Sequence, residues 1–174
     1  MYELYENFLP KENYEEIKRL LLSESFPWTY NGKSIEQDST RFFMHDLSYD
    51  GNANSKHTDF LNFPAYMWIQ QYKPGAKILR SHVNFQLNGL QGSPHVDSKH
   101  NDVTTLLYYV TTSDGPTNLY DGFVGQNVTH KDIETPVAEI PHTANTMCSF
   151  DSHRYHVGVA PSKGERINIA YMVR

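Results

Sequence analysis

Cysteine is almost absent from this sequence, and two other common features are missing with it. A single cysteine among 174 residues excludes an intrachain disulfide. No window approaches the roughly 18 consecutive apolar residues that a membrane-spanning helix requires. The N-terminal MYELYENFLP is acidic and contains a proline, unlike a secretory signal. We therefore expect a soluble, cytoplasmic protein without a membrane partner.

The chain also lacks an excess of positive charge. Lys and Arg together number 15 against 20 Asp and Glu, and the net charge at pH 7 is −5. Because Lys and Arg form no cluster, we expect a phosphate backbone to repel the protein rather than bind it. This disfavours nucleic acid as a partner.

Large aromatic side chains are plentiful in an otherwise polar chain. Only 39% of the residues are hydrophobic, yet the sequence contains 12 Tyr and 9 Phe. A core built from few but large side chains with polar tips suits a β-rich fold with a pocket. The length fits one domain, and no repeat or low-complexity linker divides it. We expect a single domain over residues 1–174.

Hydrophobic periodicity predicts two helices followed by many strands. The helices cover residues 10–23 and 58–72, the second made less regular by Pro64. Residues 24–57 read as long loops around a strand near 41–47. The remaining predicted strands are short and rich in β-branched and aromatic residues, which indicates a sandwich or barrel, and they cover 78–87, 104–111, 137–140, 146–150, 155–159 and 167–173.

A histidine and an aspartate two positions apart, His95 and Asp97, precede one of these strands. In a strand, such residues point to the same face about 6.6 Å apart and can converge on one ion. The later segment FDSHRYHVGV offers two candidates for a third ligand, His153 and His156. Two histidines and one carboxylate are typical of non-haem Fe(II) oxygenases, but the same set suits zinc.

The order of these motifs resembles a known family. HVD, then TTLLYYVTTSDGPTNLY, then CSFDSHRYHVGVAPSKGERINI is similar to the Fe(II)/2-oxoglutarate-dependent oxygenases, above all their prolyl-4-hydroxylase-like branch, over residues 78–173. The resemblance implies an α+β, mainly β fold. Its core would be a double-stranded β-helix, jelly-roll or cupin-like, over 76–174, with helical support and loops over 1–75.

The resemblance also assigns the third metal ligand and a cosubstrate contact. In the family, the distal histidine is followed by an apolar stretch, a proline and, five residues later, the basic residue that binds 2-oxoglutarate. His156, Pro161 and Arg166 match this pattern, whereas His153 lies too far upstream. The implied metal ligands and catalytic residues are therefore His95, Asp97 and His156, with Arg166 on the cosubstrate.

The implied reaction needs Fe(II), 2-oxoglutarate and O2, with ascorbate as an optional reductant. It hydroxylates a peptidyl substrate, prolyl included, or a small molecule, and it releases succinate and CO2. Charges of +2 for Fe(II), −1 for the aspartate, −2 for 2-oxoglutarate and +1 for the guanidinium sum to zero. A partly buried site of this composition is therefore tolerable.

Three further residues are candidate cosubstrate contacts. Tyr109, in LLYYVT, matches a tyrosine that the family carries on the strand after HxD. On the strand at 78–87, Asn84 and Gln86 share a polar face with Arg80 and His82, and this face lines the pocket if it points inward. Asn84 also matches an asparagine of the nucleic-acid-dealkylating branch.

Two alternatives remain open from the sequence. One is a nucleic-acid-dealkylating oxygenase of the same superfamily, and the other is a zinc-binding β-barrel module without oxygenase activity. The segment SDGPTNLY, residues 113–120, is predicted to form a turn at the pocket mouth. The substrate and the oligomeric state are not encoded in a recognisable pattern, since the regions expected to select the substrate, 24–57 and 112–130, carry no motif.

Overall fold

Antiparallel strand pairing organises the chain into two sheets in a computed structural model that describes residues 1–31, 41–123 and 133–174. The described residues are mostly β, with two helices. In chain order the elements are β1 (Tyr2–Tyr5), α1 (Lys11–Leu21), β2 (Thr29–Asn31), β3 (Phe42–Tyr49), β4 (Asn52–Ala53), α2 (Thr58–Tyr72), β5 (Ile78–Leu87), β6 (Thr104–Tyr109), β7 (Ser113–Phe123), β8 (Pro136–His142), β9 (Thr146–Asp151), β10 (Arg154–Gly158) and β11 (Glu165–Val173).

The larger sheet has eight strands and is centred on β11. Its order is β1-β9-β6-β11-β5-β3-β2, with β4 added to β3, and the smaller sheet has the order β10-β7-β8. Strand β11 pairs with β5 on one side and with β6 on the other. The C-terminal strand therefore lies inside the sheet, where a run of buried apolar side chains is expected.

Side-chain alternation in the central strands produces two apolar clusters, one on each face of the larger sheet. Tyr108 packs with Ile17 and Leu61 of the helices. Its neighbour Tyr109 instead packs with Leu119 of the smaller sheet. Because successive strand residues face opposite sides, the larger sheet lies between a helical layer and the smaller sheet.

The predicted elements agree with most of this arrangement. Helices form at Lys11–Leu21 and Thr58–Tyr72, and α2 continues through Pro64. Strands form in all six predicted segments between residues 78 and 173. The strand predicted near 41–47 is Phe42–Tyr49, but residues 24–57 also contain β2 and β4, which were not predicted.

The predicted turn at 113–120 is wrong, because this segment lies within β7. Residues Thr117 to Phe123 pair with β10 on one side, and the strand pairs with β8 on the other. The turn-forming Gly115 and Pro116 sit where the pairing with β8 shifts register between Ser113 and Thr117. Pairing on both edges thus outweighs the local turn preference. Of the region 112–130, residues 124–130 lie outside the described residues.

No helix within 1–31, 41–123 or 133–174 is long and apolar enough to cross a membrane.

Candidate active site

Backbone pairing brings the two histidines of the predicted triad together. His95 and His156 form an isolated antiparallel bridge. The N–H of each donates to the carbonyl of the other, both at 2.9 Å. Directly opposed residues in such a pair have adjacent side chains, and the two imidazole centroids lie 4.5 Å apart. The N–H of Asp97 donates to the carbonyl of Ser152 at 3.0 Å, which fixes the third member.

The three side chains converge on one point. Nε2 of His156 lies 3.3 Å from Oδ2 of Asp97, and Nε2 of His95 lies 3.6 Å from Oδ1. All three potential ligand atoms lie within 4.8 Å of one another. His156 is buried, with 5% of its side chain exposed, and Asp97 is partly buried, with 10% exposed, whereas 52% of the His95 side chain is exposed. The site is therefore open on the His95 side.

Hydrogen bonds outside the triad orient its ligand atoms. Nδ1 of His95 contacts the carbonyl of Ser93 at 2.9 Å, and Nδ1 of His156 contacts that of Arg154 at 3.0 Å. A carbonyl only accepts, so each Nδ1 carries the proton and each Nε2 presents its lone pair. The Thr105 hydroxyl donates to Oδ2 of Asp97 at 2.7 Å. Such outer partners are typical of metal ligands.

Asp97 is held in its charged form. Burial by itself would raise the pKa of this carboxyl group, but when His156 and His95 are protonated, their charge and hydrogen bonds to it outweigh burial. The pKa of Asp97 is consequently well below its ordinary value. A carboxylate that stays ionised while buried is suited to a cation.

The triad opens into a cavity of about 290 Å³. The polar face of β5 points inward and forms one wall. The lining residues are Asn31, Phe42, Met44, Arg80, His82, Asn84, Gln86, Gly92, Ser93, His95, Val96, Asp97, Leu107, Thr117, His156, Val157, Gly158, Arg166, Asn168 and Ala170.

Arg166 is buried in this cavity wall and fixed by three hydrogen bonds. Nε donates to the carbonyl of Gly115 at 3.0 Å, Nη1 to Oε1 of Gln86 at 2.8 Å and Nη2 to the Thr117 hydroxyl at 2.7 Å. Only 2% of Arg166 is exposed, and burial lowers its pKa from 12.5 to about 10. No ion pair joins it to a carboxylate of the described residues.

The side chain of Gln86 helps to hold Arg166 in place. Its Oε1 accepts from Arg166, and its Nε2 donates to the carbonyls of Leu90 and Gly158, both at 3.1 Å. Gly158 leaves the room that this contact needs. A Cβ atom there would lie 2.6 Å from Nη1 of Arg166 and 3.0 Å from Oε1 of Gln86.

Asn84 and Tyr109 occupy different positions relative to the cavity. Asn84 lines it, donates to Oδ1 of Asn168 at 3.2 Å, and has a buried Oδ1 without a hydrogen-bond partner among the described residues. Tyr109 is fully buried behind Thr117, to whose hydroxyl it donates at 2.9 Å. Thr117 therefore accepts from both Tyr109 and Arg166, and its own proton can go to a ligand.

Motif reasoning missed several cavity residues, and one histidine proved peripheral. Asn31 and Met44 reach the cavity from β2 and β3, and no sequence pattern identified them. His82 was noted on the polar face without a specific role, yet it is 91% buried there, being 9% exposed. His153 packs against the Phe123 ring at 4.6 Å and is not part of the triad.

The residues present fit both groups that the resemblance implies. Two imidazole Nε2 atoms and a carboxylate, all oriented by outer hydrogen bonds, form a donor set suited to Fe(II) or Zn(II). A buried guanidinium and the unpartnered Oδ1 of Asn84 fit a polar, anionic ligand in the same cavity.

Comparisons by sequence find nothing similar. No family model matches the chain, and no curated protein matches it.

Solved structures with the same fold are numerous. An oxidoreductase of the 2OG-Fe(II) oxygenase family from Burkholderia pseudomallei aligns with a TM-score of 0.74 at 12% identity, over 99% of this chain and 84% of that one. A Pseudomonas putida prolyl-4-hydroxylase aligns at 0.60 and 14%, over 99% and 92%. The epimerase SnoN from nogalamycin biosynthesis, in complex with Fe³⁺ and alpha-ketoglutarate, aligns at 0.66 and 13%, over 99% and 78%.

These neighbours share an architecture but not one reaction, since a hydroxylase and an epimerase are among them. Sequence identities of 12–14% support a shared fold, and the reaction has to be inferred from the residues of the site. The chain has the fold of the 2-oxoglutarate-Fe(II) oxygenases, the prolyl 4-hydroxylases among them, and the resemblance read from its sequence is confirmed at this level.

Proposed function

We propose that the protein is an Fe(II)- and 2-oxoglutarate-dependent dioxygenase that hydroxylates a small-molecule or peptidyl substrate. The observation that carries this proposal is the shared cavity. A two-histidine, one-carboxylate set and a buried arginine without a carboxylate partner in the described residues line the same 290 Å³ space. A metal site alone does not require that arginine.

In this proposal, His95, Asp97 and His156 hold the metal and take no part in proton transfer. Bound Fe(II), 2-oxoglutarate and O2 supply the oxidising chemistry, with release of succinate and CO2. Thr105, Ser93 and the carbonyl of Arg154 keep the three ligands in position. The exposed side of the triad, at His95, admits the substrate.

Arg166 would receive the distal carboxylate of 2-oxoglutarate. Three of its five N–H groups already bond to protein, which fixes the plane of the guanidinium. Two remain for an anion. Binding a carboxylate inside the cavity would offset the desolvation of the buried cation. Asn84 and Thr117 can add neutral hydrogen bonds, Gln86 positions Arg166, and Tyr109 acts through Thr117.

The arrangement of the strands supports the same proposal. We take strands β5, β11, β6 and β9, together with the smaller sheet and the His95 bridge, as the two faces of a double-stranded β-helix within one domain over 1–174. Residues 1–75 would support this core. The buried, unpaired Cys148 agrees with a reducing, cytoplasmic setting.

Turnover of 2-oxoglutarate tests this function. The purified protein with Fe(II), ascorbate, 2-oxoglutarate and air should form succinate. Asp97→Ala, which removes the only charged ligand of the triad, should lower the rate by at least 100-fold, because outer-shell changes alone cost about 10- to 100-fold. His100→Ala removes an exposed histidine outside the triad and is the matched control.

The alternatives give different results in the same assays. A zinc-binding module would bind Zn(II) through the triad but form no succinate and show no affinity for 2-oxoglutarate. A nucleic-acid-dealkylating enzyme would form succinate in proportion to the demethylation of an alkylated single strand. Succinate formation that persists in Asp97→Ala would reject the site.

A further inference from the structure

We propose that the substrate of this enzyme is a small molecule with an anionic group, and that Arg80 binds this group at the end of the cavity opposite Arg166. The inference rests on the proposed function and deepens it by naming the substrate class.

The pairing of β5 with β11 places the two arginines at opposite ends of one polar face. Arg166 is opposite Gln86, and Met172 is opposite Arg80. Arg80 and Gln86 lie six residues apart on the same face of β5, or about 20 Å in an extended strand. Both line the cavity. The space between them thus has a guanidinium at each end.

The three metal ligands line the same cavity as the two arginines. His82, two residues from Arg80 on the same face, lies close enough to Asp97 and His95 for their charges to affect its pKa. If 2-oxoglutarate extends from Arg166 to the triad, the stretch from the triad to Arg80 remains for the substrate. Arg80 is therefore on the substrate side of the site.

Among the described residues, the charge of Arg80 has no direct partner. No hydrogen bond or ion pair joins its side chain to any other residue within 1–31, 41–123 and 133–174. The carboxylate of Asp46 shares a surface depression with Arg80 but is exposed to solvent. With Fe(II), Asp97, 2-oxoglutarate and Arg166 summing to zero, the half-buried Arg80 leaves the cavity with a charge of +1. One anionic group on the substrate restores neutrality.

His82 provides a second, independent indication of a ligand. Its side chain lines the cavity, and its buried Nδ1 has no hydrogen-bond partner in the described part of the chain. A buried polar atom without a partner needs a physical reason, and a bound ligand, ion or water is one such reason. A neutral imidazole beside Arg80 can donate one hydrogen bond to an anion that the guanidinium holds in a fork.

The size and lining of the cavity restrict the part of the ligand that carries the anionic group. About 290 Å³ lies at the lower end of cavities that hold small molecules, and 2-oxoglutarate must share it. Apolar contacts come from Phe42, Met44 and Leu107. We therefore expect a short, partly apolar body attached to a carboxylate or a phosphate.

Binding measurements with Mn(II) in place of Fe(II) test this without turnover. The protein is loaded with Mn(II) and 2-oxoglutarate, so that Arg166 is occupied. It is then titrated calorimetrically with three series of straight and branched C4–C8 compounds: carboxylates, alkyl phosphates and the matching primary amides. At least one acid should bind ten times or more tighter than its amide, and the better of the two acid series identifies the anionic group.

Charge variants assign this preference to Arg80. Arg80→Gln should remove the preference for acid over amide, and Arg80→Lys should keep part of it. Arg19→Gln removes the same charge from an exposed position on α1 and should change nothing. His82→Leu should weaken acid binding by less than Arg80→Gln does.

Several outcomes would overturn the inference: no acid binds, acids and amides bind alike, or Arg80→Gln keeps the preference. A titration of 2-oxoglutarate into the Mn(II)-loaded wild type tests the proposed function separately. If 2-oxoglutarate fails to bind, the proposed function is rejected and the substrate assignment with it. If 2-oxoglutarate binds to the wild type and to Arg80→Gln, but the wild type does not prefer acids to amides, only the assigned substrate class is rejected.

Discussion

His142 shows how strongly burial acts on single residues of this protein. It is 1% exposed and packs against Tyr109, with ring centroids 4.2 Å apart. Its Nε2 lies 3.1 Å from the carbonyl of Ile167, so Nε2 carries the proton, while the buried Nδ1 has no partner among the described residues. Burial, and then the nearby charge of Arg166, lower the pKa of His142 well below its ordinary value. The side chain is neutral when folded.

Stability should therefore depend on pH through this residue. A histidine with a depressed pKa in the folded state binds its proton more readily when unfolded, so its contribution is intact above about pH 6.5 and is lost as the pH falls. Between pH 7 and pH 5 this amounts to about 2 kcal/mol. His142→Gln keeps a donor for Ile167 but does not titrate.

Urea denaturation at the two pH values checks this. The free energy of unfolding of the wild type should fall by about 2 kcal/mol more than that of His142→Gln over this interval. Comparing the pH dependence, rather than the stability itself, removes any constant cost of the substitution. An equal loss in both proteins would show that His142 is protonated in the folded state.

At the scale of elements, strand β10 connects the two halves of the site. Its middle residue, His156, supplies a triad member, and its last residue, Gly158, lies against the Arg166 and Gln86 pair. A Cβ atom at Gly158 would lie 2.6 Å from Nη1 of Arg166. The guanidinium can therefore occupy its position only because residue 158 has no side chain.

Gly158→Ala should consequently displace Arg166. We expect a loss of about 1–3 kcal/mol in the free energy of unfolding, as overpacking of a filled site produces. The affinity for 2-oxoglutarate should fall about tenfold or more. Denaturation and calorimetry measure the two effects.

Gly92→Ala is the matched control for this substitution. It also lies at the cavity, but its nearest new contact would be the side chain of Val157 at 3.2 Å, which can move. If both substitutions lower the affinity for 2-oxoglutarate equally, the contact between residue 158 and Arg166 is not what determines this affinity.

At the scale of the whole molecule, the site depends on two sheets and a short bridge. The resemblance to the oxygenase family led to His95, Asp97 and His156, which the structure brings together, and to Arg166, which lines the same cavity. Strands such as Ile78–Leu87 were predictable because alternation and β-branched residues agree with burial on one face. A local signal sufficed for these strands.

Features that depend on pairing between strands far apart in the sequence could not be predicted from local patterns. Strand β7 contains Gly115 and Pro116, which favour a turn locally, and it forms a strand because β8 and β10 pair with it from both sides. Asn31 and Met44 enter the cavity only because β2 and β3 extend the larger sheet beside β5. No pattern along the chain encodes that adjacency.

We have proposed that the metal-binding triad and Arg166 together form one site for 2-oxoglutarate. Calorimetric titration of 2-oxoglutarate into the Mn(II)-loaded protein, without O2 chemistry, tests it most directly. The wild type should bind one equivalent only when the metal is present, and Arg166→Gln should weaken binding about 10- to 150-fold, the value of charge-assisted hydrogen bonds. If 2-oxoglutarate does not bind, or if it binds equally well without metal and to Arg166→Gln, the triad and Arg166 do not form its site.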